Sequence, residues 1–168
     1  MSNIAPINLN RAQISHLAEL FAEKTQYIPC ETDIFDYVKT KLNGEIRYSD
    51  AHSDSVGGFI EVKNKEDFTI YLSQITSKLR DVFTIAHELG HYVLHSKIGQ
   101  IPITANRSND IDNAEREANT FAASFLMPEK LVREYAKDCK SISELAKKFK
   151  VSLTTMTWRC RNLNINVR

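Results

Sequence analysis

Phe83-Thr84-Ile85-Ala86-His87-Glu88-Leu89-Gly90-His91-Tyr92 is the stretch on which the reading of this chain turns. It lies in a longer run where Leu79, Val82, Phe83, Ala86, Leu89, Gly90, Val93 and Leu94 recur at helical spacing. That period predicts a buried helix with a broad apolar face. Within it stands a His-Glu-x-x-His motif. Four residues of α-helix turn through about 400°, so His87 and His91 project from one face, a turn apart. Two imidazoles so placed can share one Zn2+ at about 2.0–2.1 Å each. Glu88 sits about 100° round the axis, poorly aimed for a ligand but able to reach a water on the metal, where a general base works. With 5 histidines and 12 glutamates in 168 residues, a shuffled chain would contain this motif roughly one time in a hundred. The bland alternative is two core histidines beside a surface glutamate. It is costly in an apolar helix, because buried imidazoles need partners.

A catalytic zinc takes three protein ligands and leaves a position open. His95 is near in sequence, but three ligands along one straight helix would span about 11 Å, too far for one ion. His95 therefore reads as a supporting partner or a surface residue. The next helix, from about Ile111 to Leu126, offers Glu115 and Glu117 in its first turns. Glu115 also fits a capping box with Asp112 as N-cap, and Glu117 fits an exposed carboxylate. On the residues alone the third ligand stays open between the two.

The rest of the chain is ordinary in bulk. Hydrophobic residues make up 42% and charged residues 26%, which excludes disordered, collagenous and low-complexity classes. No apolar run approaches the roughly 18 residues of a membrane span. Met1–Pro6 shows no basic or apolar signal region, and Cys30, Cys139 and Cys160 form no Cys-x-x-Cys pair. A reducing, cytoplasmic setting is expected. Net charge is only +1, yet residues 130–168 hold 10 Lys/Arg against 3 Asp/Glu. This polarity marks a boundary near Pro128, dividing residues 1–128 from a basic helical module at 129–168. It suits contact with nucleic acid or an acidic protein face, or a solvated helix surface.

Outward from the motif, residues 10–25 and 34–42 read as helices, the second stopped by Asn43-Gly44. Glu45–Tyr48, Phe59–Val62 and Phe68–Leu72 read as strands, the last two joined as a hairpin. Residues 49–58 and 98–113 read as polar loops. Strand Phe68–Leu72 is expected to pair with an extended peptide at a sheet edge, and Tyr92, Tyr48 and Arg80 are candidates to steady an oxyanion. Near the C-terminus, residues 143–163 look like a helix-turn-helix with Ser143 and Ser152 as N-caps. Lys150 stands in the turn where glycine is common. Thr154, Thr155, Thr157, Arg159 and Arg161 are available for phosphates or base edges, and Cys160 reads as core filler.

The stretch from Phe83 to Tyr92, followed by Glu115-Arg116-Glu117-Ala118-Asn119 and Phe121-Ala122-Ala123-Ser124-Phe125-Leu126-Met127-Pro128, resembles the ImmA/IrrE-type metallopeptidase family. The resemblance covers about residues 45–135. It implies that Glu115 completes the ligand set with His87 and His91, that Asn119 supports a ligand one turn on, and that Glu88 is the base. It implies a zinc endopeptidase that cleaves or inactivates an XRE-type helix-turn-helix repressor. The alternative is a DNA-binding regulator or antitoxin-like partner with a structural or vestigial zinc site, using residues 130–168 on DNA. The expected fold is α+β: N-terminal helices, a small mainly antiparallel sheet, an active-site helix pair and a helix-turn-helix-like C-terminal module.

Overall fold

The structure, a computed structural model, describes residues 4–49, 58–105 and 112–167. The chain opens with α1 (Arg11–Thr25) and α2 (Ile34–Lys41). Asn10 caps α1 in a reciprocal box with Gln13, satisfying two amides that the first turn would otherwise leave unpaired. Strands β1 (Glu45–Ser49), β2 (Phe59–Asn64) and β3 (Asp67–Ser73) follow. Next come α3 (Lys78–Gly90), a π-helical turn over His91–His95, and β4 (Ile103–Ala105). Four helices complete the fold: α4 (Asp112–Leu126), α5 (Glu129–Tyr135), α6 (Ile142–Lys148) and α7 (Leu153–Asn162). Among the described residues no helix is long and apolar enough to cross a membrane.

The architecture is α+β. β2 and β3 form the expected hairpin, with Ile60 opposite Ile70 and Val62 opposite Phe68. These side chains, with Leu72, alternate into the core as a half-covered strand requires. The sheet order is β1-β3-β2-β4, with two antiparallel pairings and a parallel one between β1 and β3. β3 is thus paired on both sides. The expectation that Phe68–Leu72 would receive a peptide at a sheet edge is wrong, because its backbone groups are already used; β1 and β4 are the edges. β4 itself lies in a stretch read as loop. Three residues are too few to show a period, and pairing with β2 stabilises them. The expected loop over 49–58 lies almost wholly outside the described residues, as do residues 106–111 of the other loop and the helix start at Ile111. Asp112 belongs to α4 itself rather than preceding it as an N-cap.

α4 packs against both α1 and α3. Toward α1, Phe121 and Phe125 each hold a ring centroid 6.1 Å from that of Phe21. Ala114, Ala118 and Ala122, spaced one turn apart, are fully buried along the same helix. Gly90 meets this small-residue row: a Cβ built there would lie 3.0 Å from Ala118 Cα and 3.1 Å from its carbonyl oxygen. The absent side chain lets the two helices approach at that level.

In the C-terminal segment the N-cap of α6 is Ser141, not Ser143, accepting from the Glu144 amide. Ser141-Ile142-Ser143-Glu144 has the Ser-x-x-Glu spacing of a capping box, and that is the signal that separates the two serines. Ser152 caps α7 as expected, and Lys150 takes the left-handed conformation with φ 55°. Cys160 is buried, as read. Arg159 is not available to phosphates on the outer face. It is 2% exposed and donates from Nε to the Met127 carbonyl at 3.0 Å.

Candidate metal centre

α3 carries His87 and Glu88 near its end, and His91 begins the π-helical turn one helical turn later. Ser77 caps the helix start, its side chain accepting from the Arg80 amide. His87, Glu88 and His91 are each 1% exposed. The close approach at Gly90 brings the first turns of α4 over this face. His87 Nε2 lies 3.2 Å from Glu115 Oε2, and His91 Nε2 lies 3.2 Å from Glu115 Oε1. The two Nε2 atoms are themselves 3.2 Å apart.

Such a triangle has a chemical meaning. Three donors at about 2.0–2.15 Å from one tetrahedral ion stand about 3.3–3.5 Å from each other. Each imidazole nitrogen stands 3.2 Å from its own Glu115 oxygen and 3.2 Å from the other imidazole, close to that spacing, and the donor set of two imidazoles and one carboxylate suits a small divalent ion. Among the described residues, His87, His91 and Glu115 are the group whose ligand atoms converge in this way. Glu88 is buried beside them but does not join the group, in keeping with its angular offset. The Glu115 side chain is 21% exposed, so the centre opens on its side. Burial pushes the Glu115 carboxyl up. Hydrogen bonds from His87 and His91, and their charge, outweigh this and hold it well below the usual carboxylate range.

The outer ring nitrogens are held as firmly as the inner ones. His87 Nδ1 lies 3.0 Å from Asn119 Oδ1. His91 Nδ1 lies 3.0 Å from His95 Nδ1, and His95 Nε2 lies 3.0 Å from Glu117 Oε2. Glu117 in turn accepts from the backbone amides of Ile7 at 3.0 Å and Asn8 at 2.8 Å. A histidine that binds metal through Nε2 carries its proton on Nδ1. His91 then donates to His95, and His95, protonated on Nε2, donates to Glu117. Burial pushes the His95 imidazole down, with Glu117 opposing but not reversing this, which matches a neutral relay.

Several expectations change here. Glu117 is not an exposed carboxylate: it is 6% exposed and fully engaged. Both glutamates are buried to some degree because α4 is sandwiched, Glu115 toward the histidines on α3 and Glu117 toward His95 and the segment entering α1. Of the two readings of His95, supporting partner or surface residue, the structure has the first: it is buried, with Nδ1 3.0 Å from His91 Nδ1. Tyr92 does not face the centre, since its hydroxyl donates to the Lys65 carbonyl in the hairpin turn. The role of Gly90 was also missed. A glycine within a helical apolar row, one residue before a ligand, is the signal that points to it.

Comparison with known proteins follows the same line. The family model described as IrrE N-terminal-like domain matches residues 40–161. Immunity region protein 2 of Bacillus phage phi105 is 23% identical over 146 residues, 87% of this chain and 85% of that protein. Metallopeptidase ImmA of Bacillus subtilis is 34% identical over 65 residues, 38% of each chain. A transcriptional regulator of Mycobacterium tuberculosis shares the fold with a TM-score of 0.60 at 15% identity, covering 94% of this chain but 48% of the regulator.

Proposed function

The chain belongs to the peptidase family of IrrE N-terminal-like domains, and from that premise we propose that it is a zinc-dependent endopeptidase that inactivates a helix-turn-helix repressor by cutting it. The observation that carries the chemistry is the 3.2 Å triangle of His87, His91 and Glu115 with Glu88 buried alongside. Zinc held there would polarise the scissile carbonyl and acidify a water. Glu88 takes the proton from the attacking water and passes it to the leaving amine as the C–N bond breaks. Asn119 and His95 hold the two imidazoles in the tautomer and orientation that point Nε2 inward. Glu117 steadies His95 and anchors the segment before α1 to the same centre.

Support for the repressor as substrate is of a different kind. The relatives named above are a phage immunity-region protein and a metallopeptidase. A repressor substrate also places the reaction in the cytoplasm. The test is to measure bound metal in the purified protein and incubate it with the helix-turn-helix repressor encoded beside its gene, following fragments by mass spectrometry. One divalent ion per chain and chelator-sensitive cleavage are expected. Intact repressor after incubation with the metal-loaded protein would remove the substrate assignment.

A further inference from the structure

A second site lies away from the metal centre, between α1, α5 and α7. A cavity of about 530 Å3 opens there, bordered by Arg11 and Glu19 of α1, Glu129 and Arg133 of α5, and Arg159 and Asn162 of α7. Its size falls in the range of small-molecule sites, roughly 300–1,000 Å3. Arg159 is the unusual member. A guanidinium has five N–H donors. At 2% exposure Arg159 commits its Nε–H to the Met127 carbonyl, and no carboxylate pairs with it among the described residues. Buried charges are ordinarily paired, because an unpaired one is costly to desolvate. Burial, with Arg11 nearby, lowers its pKa to about 10, and the charges of Glu129 and Glu19 across the cavity oppose this without reversing it. The neighbouring cation Arg133 is already spent, on Glu129 at 2.7 Å and the Leu163 carbonyl at 2.9 Å. The Asn162 Nδ2 atom is buried and has no hydrogen-bond partner among the described residues.

We propose that this cavity binds a small soluble oxyanion, the phosphate or carboxylate group of a metabolite, on the Arg159 guanidinium with Asn162 as a second donor and Arg11 at the rim. The planar guanidinium fork matches the two oxygens of either group. Bound there, the ligand would bridge α1 and α7 and stabilise the joint between the N-terminal and C-terminal helices. A purely structural Arg159, a strut to the end of α4, is the competing account, and it predicts no ligand.

The experiment is isothermal titration of the zinc-loaded full chain with inorganic phosphate and, separately, with acetate, each to about 20 mM to cover millimolar affinities. Saturable binding of at least one anion is expected, and the stronger of the two identifies the group. Arg11→Gln should weaken it and Glu19→Gln strengthen it, each severalfold, while neither lowers the melting temperature of the free protein; both side chains are exposed, so neither threatens the fold. Arg159→Lys should weaken it about tenfold or more by losing the fork. If Arg159→Lys fails to fold, the two rim variants decide. No saturable binding of either anion, or binding indifferent to Arg11 and Glu19, overturns the proposal.

Discussion

His91 Nδ1 and His95 Nδ1 lie 3.0 Å apart, both buried, across a single turn of π-helix. π-helix is rare and occurs mostly as single turns within α-helices, frequently at functional sites. On a straight α-helix His95 would be a third stacked imidazole; here it backs the second one. Replacing His95 with Ala removes the acceptor for His91 Nδ1–H and takes from Glu117 its histidine donor, leaving it the Ile7 and Asn8 amides. His95→Ala is expected to lower metal affinity about 10–100-fold, the usual cost of losing such a supporting partner. Competition titration with a chromogenic chelator measures it; unchanged affinity would contradict the relay.

Gly90 is where α3 and α4 come closest. Gly90→Ala would put a methyl group 3.0 Å from Ala118 Cα, and backbone cannot swing aside as a flexible side chain can. The helices must part by a few tenths of an ångström, carrying Glu115 away from His87 and His91. Despite alanine's better helix propensity, a net loss of about 1–3 kcal/mol is expected in urea unfolding, together with weaker metal binding.

The two glutamates of α4 should separate cleanly. Glu115→Ala removes one corner of the metal triangle, so metal binding and cleavage are lost. Glu117→Ala strands two backbone amides and the His95 donor, at about 1–3 kcal/mol for each group left unsatisfied. Glu115→Ala also strands His87 and His91, so both variants should melt below the native chain without metal, and they part on the metal, which Glu117→Ala retains and Glu115→Ala does not. Thermal melts of the metal-free variants, paired with zinc content, check this; zinc retained by Glu115→Ala, or an unmoved melting temperature in Glu117→Ala, would contradict it.

The helices, hairpin and motif were legible in the sequence because each repeats a period over several residues. The pairing of α3 with α4 was legible for the same reason, and the resemblance pointed to Glu115, which the structure brings within 3.2 Å of His87 and His91. What escaped depends on contacts with no period. β4 is three residues paired to a distant strand. The two-sided burial of α4 could have been suspected: Glu117 shares a helical face with Ala114, Ala118 and Phe121, an apolar row that a solvent-facing glutamate would not join. The π-turn left no mark in composition, and so His95 was weighed on straight-helix geometry alone.

Alkaline pH probes the core independently of the metal. Burial raises the Tyr37 phenol to about 12, and burial with the charge of Glu66 raises Tyr92 to about 12. Both exceed the unfolded value of about 10. Their contribution to stability is fully present below about pH 10 and is lost as pH rises through about 12. Denaturant midpoints should therefore fall between these limits, with phenolate absorbance of these residues rising only as the fold is lost. A midpoint flat from about pH 10 to 12 would contradict their burial.

The most direct measurement of the central claim is repressor cleavage by Glu88→Gln at matched zinc content. Glu88 lies beside the ligand triangle without belonging to it, so the variant should hold as much zinc as the native chain. Its cleavage rate should fall by about 10²-fold or more, as loss of a general base requires. Cleavage at the native rate with zinc fully bound, or zinc lost as completely as in His87→Ala, would contradict the account.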